Sequence, residues 1–135
     1  MKMHFTYTIH YPQRKDFDKH EFDENYSILD LGDYFDFSFH NVITKKNDRL
    51  LISKDQKKLK VITDSNALNF EISKNLHNNY QLKEGSQNLS FNVVTKLHEL
   101  EMNSKAIKFV YEICQENKEK ELEVLSKVHF QAEVI

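Results

Sequence analysis

From Met3 to Tyr11 every odd position is apolar or aromatic (Met3, Phe5, Tyr7, Ile9, Tyr11), while the even positions carry His4, Thr6, Thr8 and His10. Successive side chains of an extended chain point to opposite faces, so this period of two predicts a half-buried strand. Pro12 closes it, having no N–H to give to a ladder. Residues 13–24 are rich in charge and read as a long solvated connection. Tyr26–Leu31 and Tyr34–Phe39 then read as strands around Gly32-Asp33, the second with Phe35, Phe37 and Phe39 on one face.

The middle of the chain alternates short β-rich runs with polar turns. Arg49–Ser53 follows a turn at Lys46-Asn47-Asp48, and Leu59–Thr63 follows one at 54–57. Leu68, Phe70 and Ile72 come after Asp64-Ser65-Asn66, and Tyr80 and Leu82 after Asn78-Asn79. The last third is the most regular. Leu89, Phe91, Val93, Thr95 and Leu97 share one parity, as do Ile107, Phe109, Tyr111 and Ile113, and then Leu122, Val124, Val128, Phe130 and Val134. Connections this short force antiparallel neighbours, because a parallel pair needs a crossover of about a dozen residues or more. Residues 115–128 have high intrinsic helix propensity, but the parity of 122–134 favours a hairpin.

Runs of about five residues with turn signals every 8–12 residues predict an all-β protein. An open up-and-down sheet of that many strands would leave two long edges, and closure removes them. The expectation is an antiparallel up-and-down β-barrel of about 8–10 strands, roomy enough for interior side chains or one small ligand.

Composition narrows the function. The chain has 135 residues, read as one domain over 1–135, and 39% of them are hydrophobic, which supports a folded core. Net charge is −2, which removes the broad positive field of a non-specific nucleic-acid binder. No apolar run is long enough to span a membrane as a helix, and His4, Thr6, Thr8 and His10 interrupt any secretory apolar block. The one cysteine, Cys114, cannot form an internal disulfide. A soluble cytoplasmic protein is expected. With Gly 2 and Pro 1, turns are expected to rest on Asn and Asp, which tolerate left-handed backbone angles.

Gly85 precedes a strand ending Val94-Thr95-Lys96, and a loop then leads to Ile107–Ile113 with Tyr111 within the strand. A polar hairpin and a closing strand at Val128-His129-Phe130 complete the pattern. This stretch, about a third of the chain, resembles the YwiB-like family of bacterial proteins. The resemblance implies a calycin-like, lipocalin-like barrel. It implies no established activity, and so brings no catalytic residue and no cofactor.

Motifs for chemistry are scarce. No histidine pair has zinc-ligand spacing, and His4 and His10 lie about 20 Å apart along one strand at 3.3 Å per residue. No metal is expected. Asp33 and Asp36 have opposite parity and cannot converge as an acid–base pair on one strand. Asp30, with the parity of Tyr26 and Ile28, is the carboxylate expected to be semi-buried. Cys114 has no nucleophile motif around it. P-loop, dinucleotide, hydrolase-elbow and zinc-protease motifs are absent. An enzyme is therefore not expected.

Tyrosine is the informative residue. Tyr7, Tyr11, Tyr26, Tyr80 and Tyr111 all have the apolar parity of their strands, as does Thr95. Inward hydroxyls need partners or water. A barrel mouth with a few convergent hydroxyls suits a small amphipathic ligand, with Tyr7, Tyr26, Thr95 and Tyr111 as the expected binding residues. The alternative is a packed barrel acting as a structural or protein-interaction module. Val94, Val110 and Leu125 are apolar but out of phase: they either form an outward patch, which would suit a homodimer, or lie under a covering helix or loop. Lys45-Lys46 and Lys57-Lys58 beside aromatic strands imitate an oligonucleotide-binding barrel, but acidic residues are interleaved throughout, and no nucleic-acid partner is expected.

Overall fold

The computed structural model describes residues 1–135, with the side chains of all but Lys83 and Glu84. Ten strands follow one another in the order β1 (Lys2–His10), β2 (Phe17–Asp30), β3 (Tyr34–Asn41), β4 (Lys46–Ser53), β5 (Lys58–Ile62), β6 (Ala67–Glu71), β7 (Asn75–Glu84), β8 (Gln87–Met102), β9 (Ala106–Glu116) and β10 (Leu122–Val134). All belong to one sheet of order β6-β5-β4-β3-β2-β1-β10-β9-β8-β7. Every ladder is antiparallel, and the sheet curls into a nearly closed barrel.

Hairpins make all the neighbours but one. The exception is the long-range pair β1–β10, which runs from Met3↔Val134 to His10↔Lys127. The remaining gap, between β6 and β7, has no regular ladder. Two asparagine side chains bridge it. The Asn78 amide accepts from the Asn69 N–H at 2.8 Å and donates to the Asn69 carbonyl at 3.0 Å. The Asn66 amide does the same for the main chain of Gln81, at 2.7 and 3.0 Å. A side-chain amide carries the same donor and acceptor as a peptide group, so each asparagine stands in for one residue of a missing strand. Below this zip, Ile72 bridges directly to Leu97.

The core is aromatic. Phe5 is 0% exposed and lies 4.6 Å from the Phe39 ring and 5.0 Å from Phe22, measured between centroids. Phe109 and Phe130 stack at 4.4 Å on the neighbouring strands. These rings fill the lower barrel with Met3, Phe37, Leu50, Ile52, Leu59 and Ile107.

Three sequence expectations are corrected. Residues 13–24 are not a long loop, because β2 already begins at Phe17. Exposed and half-buried positions alternate there although polar residues occupy both sets, and cross-strand pairing to β1 holds the segment: Asp23 faces His4, with Oδ1 to Nδ1 at 2.6 Å. Asn78-Asn79 and Asn47-Asp48 lie within strands rather than turns. The left-handed positions outside glycine are Lys45, Gln56, Ser73 and Lys120, not Asn or Asp. Asn and Asp shape turns through their side chains instead. Asn103 Oδ1 accepts from the Lys105 and Ala106 N–H groups, Asn117 Oδ1 from Glu119 and Glu121, and Asp30 Oδ1 from Gly32. Residues 115–128 form the β9–β10 hairpin, as the parity required.

Candidate functional site

The alternating strand directions bring five segments to one end of the barrel. They are the end of β1, the β3–β4 and β5–β6 turns, the β7–β8 arm and the β9–β10 hairpin. This end is open. A cavity of about 360 Å³ is walled there by Tyr11, Tyr80, Phe91, Val93 and Ile113, with Gln115, Leu125 and Ser126 at its edge. A second hollow of about 310 Å³ holds Asp48, Thr63, Asn66 and Tyr80 among its walls. Tyr80 lines both. The volume is at the lower end of that usual for small-molecule sites.

The apolar wall continues beyond the rim. Tyr80 pairs with Phe91 and Leu82 with Leu89 along the β7–β8 arm. Leu82, Leu89 and Phe91 are all exposed. On the opposite side a β-bulge between Val124 and Ser126 adds Leu125 to β10. A bulge re-aims a side chain, and here it delivers Leu125 to the cavity. Val94 and Val110 are buried at 4% and 5% exposure. The three out-of-phase residues therefore do not form the outward patch their parity suggested.

Deeper in the barrel lie Tyr7 and Tyr111, on either side of β10, where Tyr7 faces Phe130 and Tyr111 faces Val128. Burial holds both phenols well above their usual pKa, with the Asp48 carboxylate the next cause for each. Tyr80 adds to the effect on Tyr111. Yet both residues keep part of their surface open, and among the described residues no group bonds either hydroxyl. Every fully enclosed side-chain N or O among the described residues has a partner. Side chains can be deep, unbonded and still accessible only where the space beside them is hollow.

Asp48 itself is buried, with 6% exposure, and shares the inward parity of Leu50 and Ile52. Its Oδ2 accepts from Asn41 Nδ2 at 2.9 Å. Burial raises its pKa, against the smaller opposing influence of Asn41 and His40. Asp30, expected to be semi-buried, is exposed and paired with Lys54 Nζ at 2.7 and 2.9 Å. The strand's end has turned it outward. Asp36 is buried on the outer face and gripped by Arg49 Nε and Nη2 at 3.3 and 2.7 Å.

Two of the four expected binding residues, Tyr7 and Tyr111, thus share the field of one carboxylate. The other two are engaged elsewhere. Thr95 is 0% exposed; its hydroxyl donates to the Asn69 carbonyl at 2.5 Å and accepts from Asn78 at 3.0 Å, so it belongs to the seam. The Tyr26 hydroxyl points to Met1 Sδ at 3.9 Å, and its ring packs on Phe37 at 5.6 Å. Tyr80, of the same parity as the chosen tyrosines, was a signal available in the sequence. Asp48 was hidden by its turn-like neighbours. Among the described residues no group of three or more His, Cys, Asp or Glu could hold a metal.

No protein-family model matches the chain, and no curated protein does. Among solved structures the chain is similar to the crystal structure of the ywiB protein from Bacillus subtilis, with a TM-score of 0.62 and 11% sequence identity. The match covers 98% of this chain and 89% of that one. At so low an identity the likeness is one of architecture: this chain has a YwiB-like fold.

Proposed function

We propose that this protein is a lipocalin-like binding barrel of the bacterial cytoplasm, which holds a small amphipathic molecule in its open end and performs no chemistry on it. The observation that carries this reading is the state of Tyr7 and Tyr111: deeply placed, unbonded and still accessible. Apolar surface from Phe91, Val93, Ile113 and Leu125 would take the ligand's body, and the Tyr7 and Tyr111 hydroxyls would take its polar end. The cavity at the open end favours a container over a solid structural module.

The test is ligand retention and titration on the full chain. Native mass spectrometry of gently purified protein is expected to show a retained small molecule, or the protein is expected to take one up from a panel of aromatic and short aliphatic amphiphiles. Amide shifts on titration should concentrate at Tyr80, Phe91, Val93 and Ile113. Val93→Trp should fill the cavity and abolish those shifts while leaving the far end of the barrel unchanged. Absence of any retained species, together with no shift at the mouth across the panel, would overturn the reading.

A further inference from the structure

Two aspartates of this barrel are almost equally buried, Asp36 at 7% exposure and Asp48 at 6%. Their surroundings differ. Asp36 faces outward and is neutralised by a two-pronged bond from Arg49. Asp48 faces inward, has one neutral donor on Oδ2, and among the described residues has no donor to Oδ1 and no cation within ion-pair distance, the smaller influence of His40 aside. Lys46 lines the same hollow, but its ammonium is held by Asp64 at 2.6 Å. A buried charge without a counter-charge is costly, and protein interiors pair such groups or neutralise them. Here the hollow itself lies beside the carboxylate, and Tyr80 bounds it as well. A carboxylate that shares an open hollow with a tyrosine is an arrangement that receives an organic cation, through one charge-assisted bond and the face of the ring.

Resting on the mouth as the binding site, we infer that the ligand is an amphipathic amine, its ammonium received by Asp48 Oδ1 beside Tyr80, and its apolar body lying against Phe91 and Ile113.

The experiment uses three probes of one shape: tryptamine, the neutral 3-ethylindole and the anionic indole-3-propionate. Each is titrated into the full-length protein by calorimetry, with amide shifts locating the site. Tryptamine is expected to bind about tenfold or more tightly than 3-ethylindole, and the carboxylate more weakly than either. Asp48→Asn keeps an acceptor for Asn41 and removes the charge. It should bring tryptamine down to the level of 3-ethylindole and leave 3-ethylindole unchanged. Circular dichroism and a thermal melt on the variant establish that it is folded. If 3-ethylindole shifts the mouth residues and tryptamine binds no better, or if Asp48→Asn binds tryptamine as wild type does, the amine assignment is overturned and the mouth remains a binding site. If none of the three perturbs the mouth, the binding reading fails and this inference fails with it.

Discussion

The side-chain amide of Asn78 meets the main chain of Asn69 in both directions, accepting at 2.8 Å and donating at 3.0 Å, and so performs the work of a peptide group in a place where no strand pairs. Its nitrogen also reaches the Thr95 hydroxyl at 3.0 Å. Asn78→Ala would leave a main-chain N–H without its partner and loosen the Asn69 carbonyl and Thr95. A loss of about 2–4 kcal/mol is expected from several bonds of about 1 kcal/mol each plus a penalty for unsatisfied groups. Urea denaturation checks it, and hydrogen exchange should speed up at the Asn69 amide. A loss below about 0.5 kcal/mol would mean that the seam does not hold the barrel.

Asp48 makes stability depend on pH in an unusual direction. Burial lifts its carboxyl above the ordinary 3.8. The folded protein therefore binds this proton more tightly than the unfolded chain does. In the window between the two values the folded state carries more protons, so this group's contribution to stability falls as pH rises. Below 3.8 both states are protonated and the penalty disappears. Asp48→Asn should raise the melting temperature relative to wild type at pH 7 and match it near pH 3. Paired thermal melts across pH decide this, and a variant less stable at pH 7 would contradict it.

Phe5 touches Phe22, Phe37, Phe39 and Phe130 and has no exposed surface. Phe5→Ala should cost about 3–5 kcal/mol, through lost burial and the cavity left behind. Phe91 is aromatic too, but at 38% exposure it lines the mouth. Phe91→Ala should cost less than about 1 kcal/mol while weakening ligand uptake. Chemical denaturation of the two variants side by side separates packing from binding.

Cys114 is fully buried, and burial, followed by the charge of Glu112, pushes its thiol up against the smaller pull of Lys96. The thiolate is the reactive form. Alkylation by iodoacetamide at pH 8 should be roughly 100-fold slower or more in the native protein than in urea, because it must wait for local opening. Intact-mass measurements over time report the ratio; equal rates would show the β8–β9–β10 region to be loosely packed.

Most of the barrel is legible in the sequence because its signal is parity, and parity survives wherever one face is apolar. β1, β3, β8, β9 and β10 show it plainly. It fades in β2, where Asp18, His20 and Glu24 occupy the half-buried positions around Phe22. The site suffers more. Asp48 and Asn78 are polar residues at inward positions, flanked by Asn47 and Asn79, so that each pair reads as a turn. Only the spatial neighbours, Asn41 for one and Asn69 for the other, explain why such residues face inward. Those neighbours lie on other strands and leave no mark in the local pattern. Thr95 has the parity of a pocket hydroxyl, but the seam that occupies it depends on how the ends of the sheet meet.

The same seam gives the molecule one direction in which it can yield. Around the rest of the circumference, neighbouring strands are stitched by main-chain ladders, including the pair that joins Met3 to Val134. Between β6 and β7 the fastening is a clasp of amide and hydroxyl groups on Asn66, Asn78 and Thr95. Tyr80 is on β7, and Asn66 forms part of the wall it shares with Asp48. Undoing the clasp would widen the mouth while every ladder stays intact, so the wall beside Tyr80 is the place where the barrel can part without breaking a strand pair.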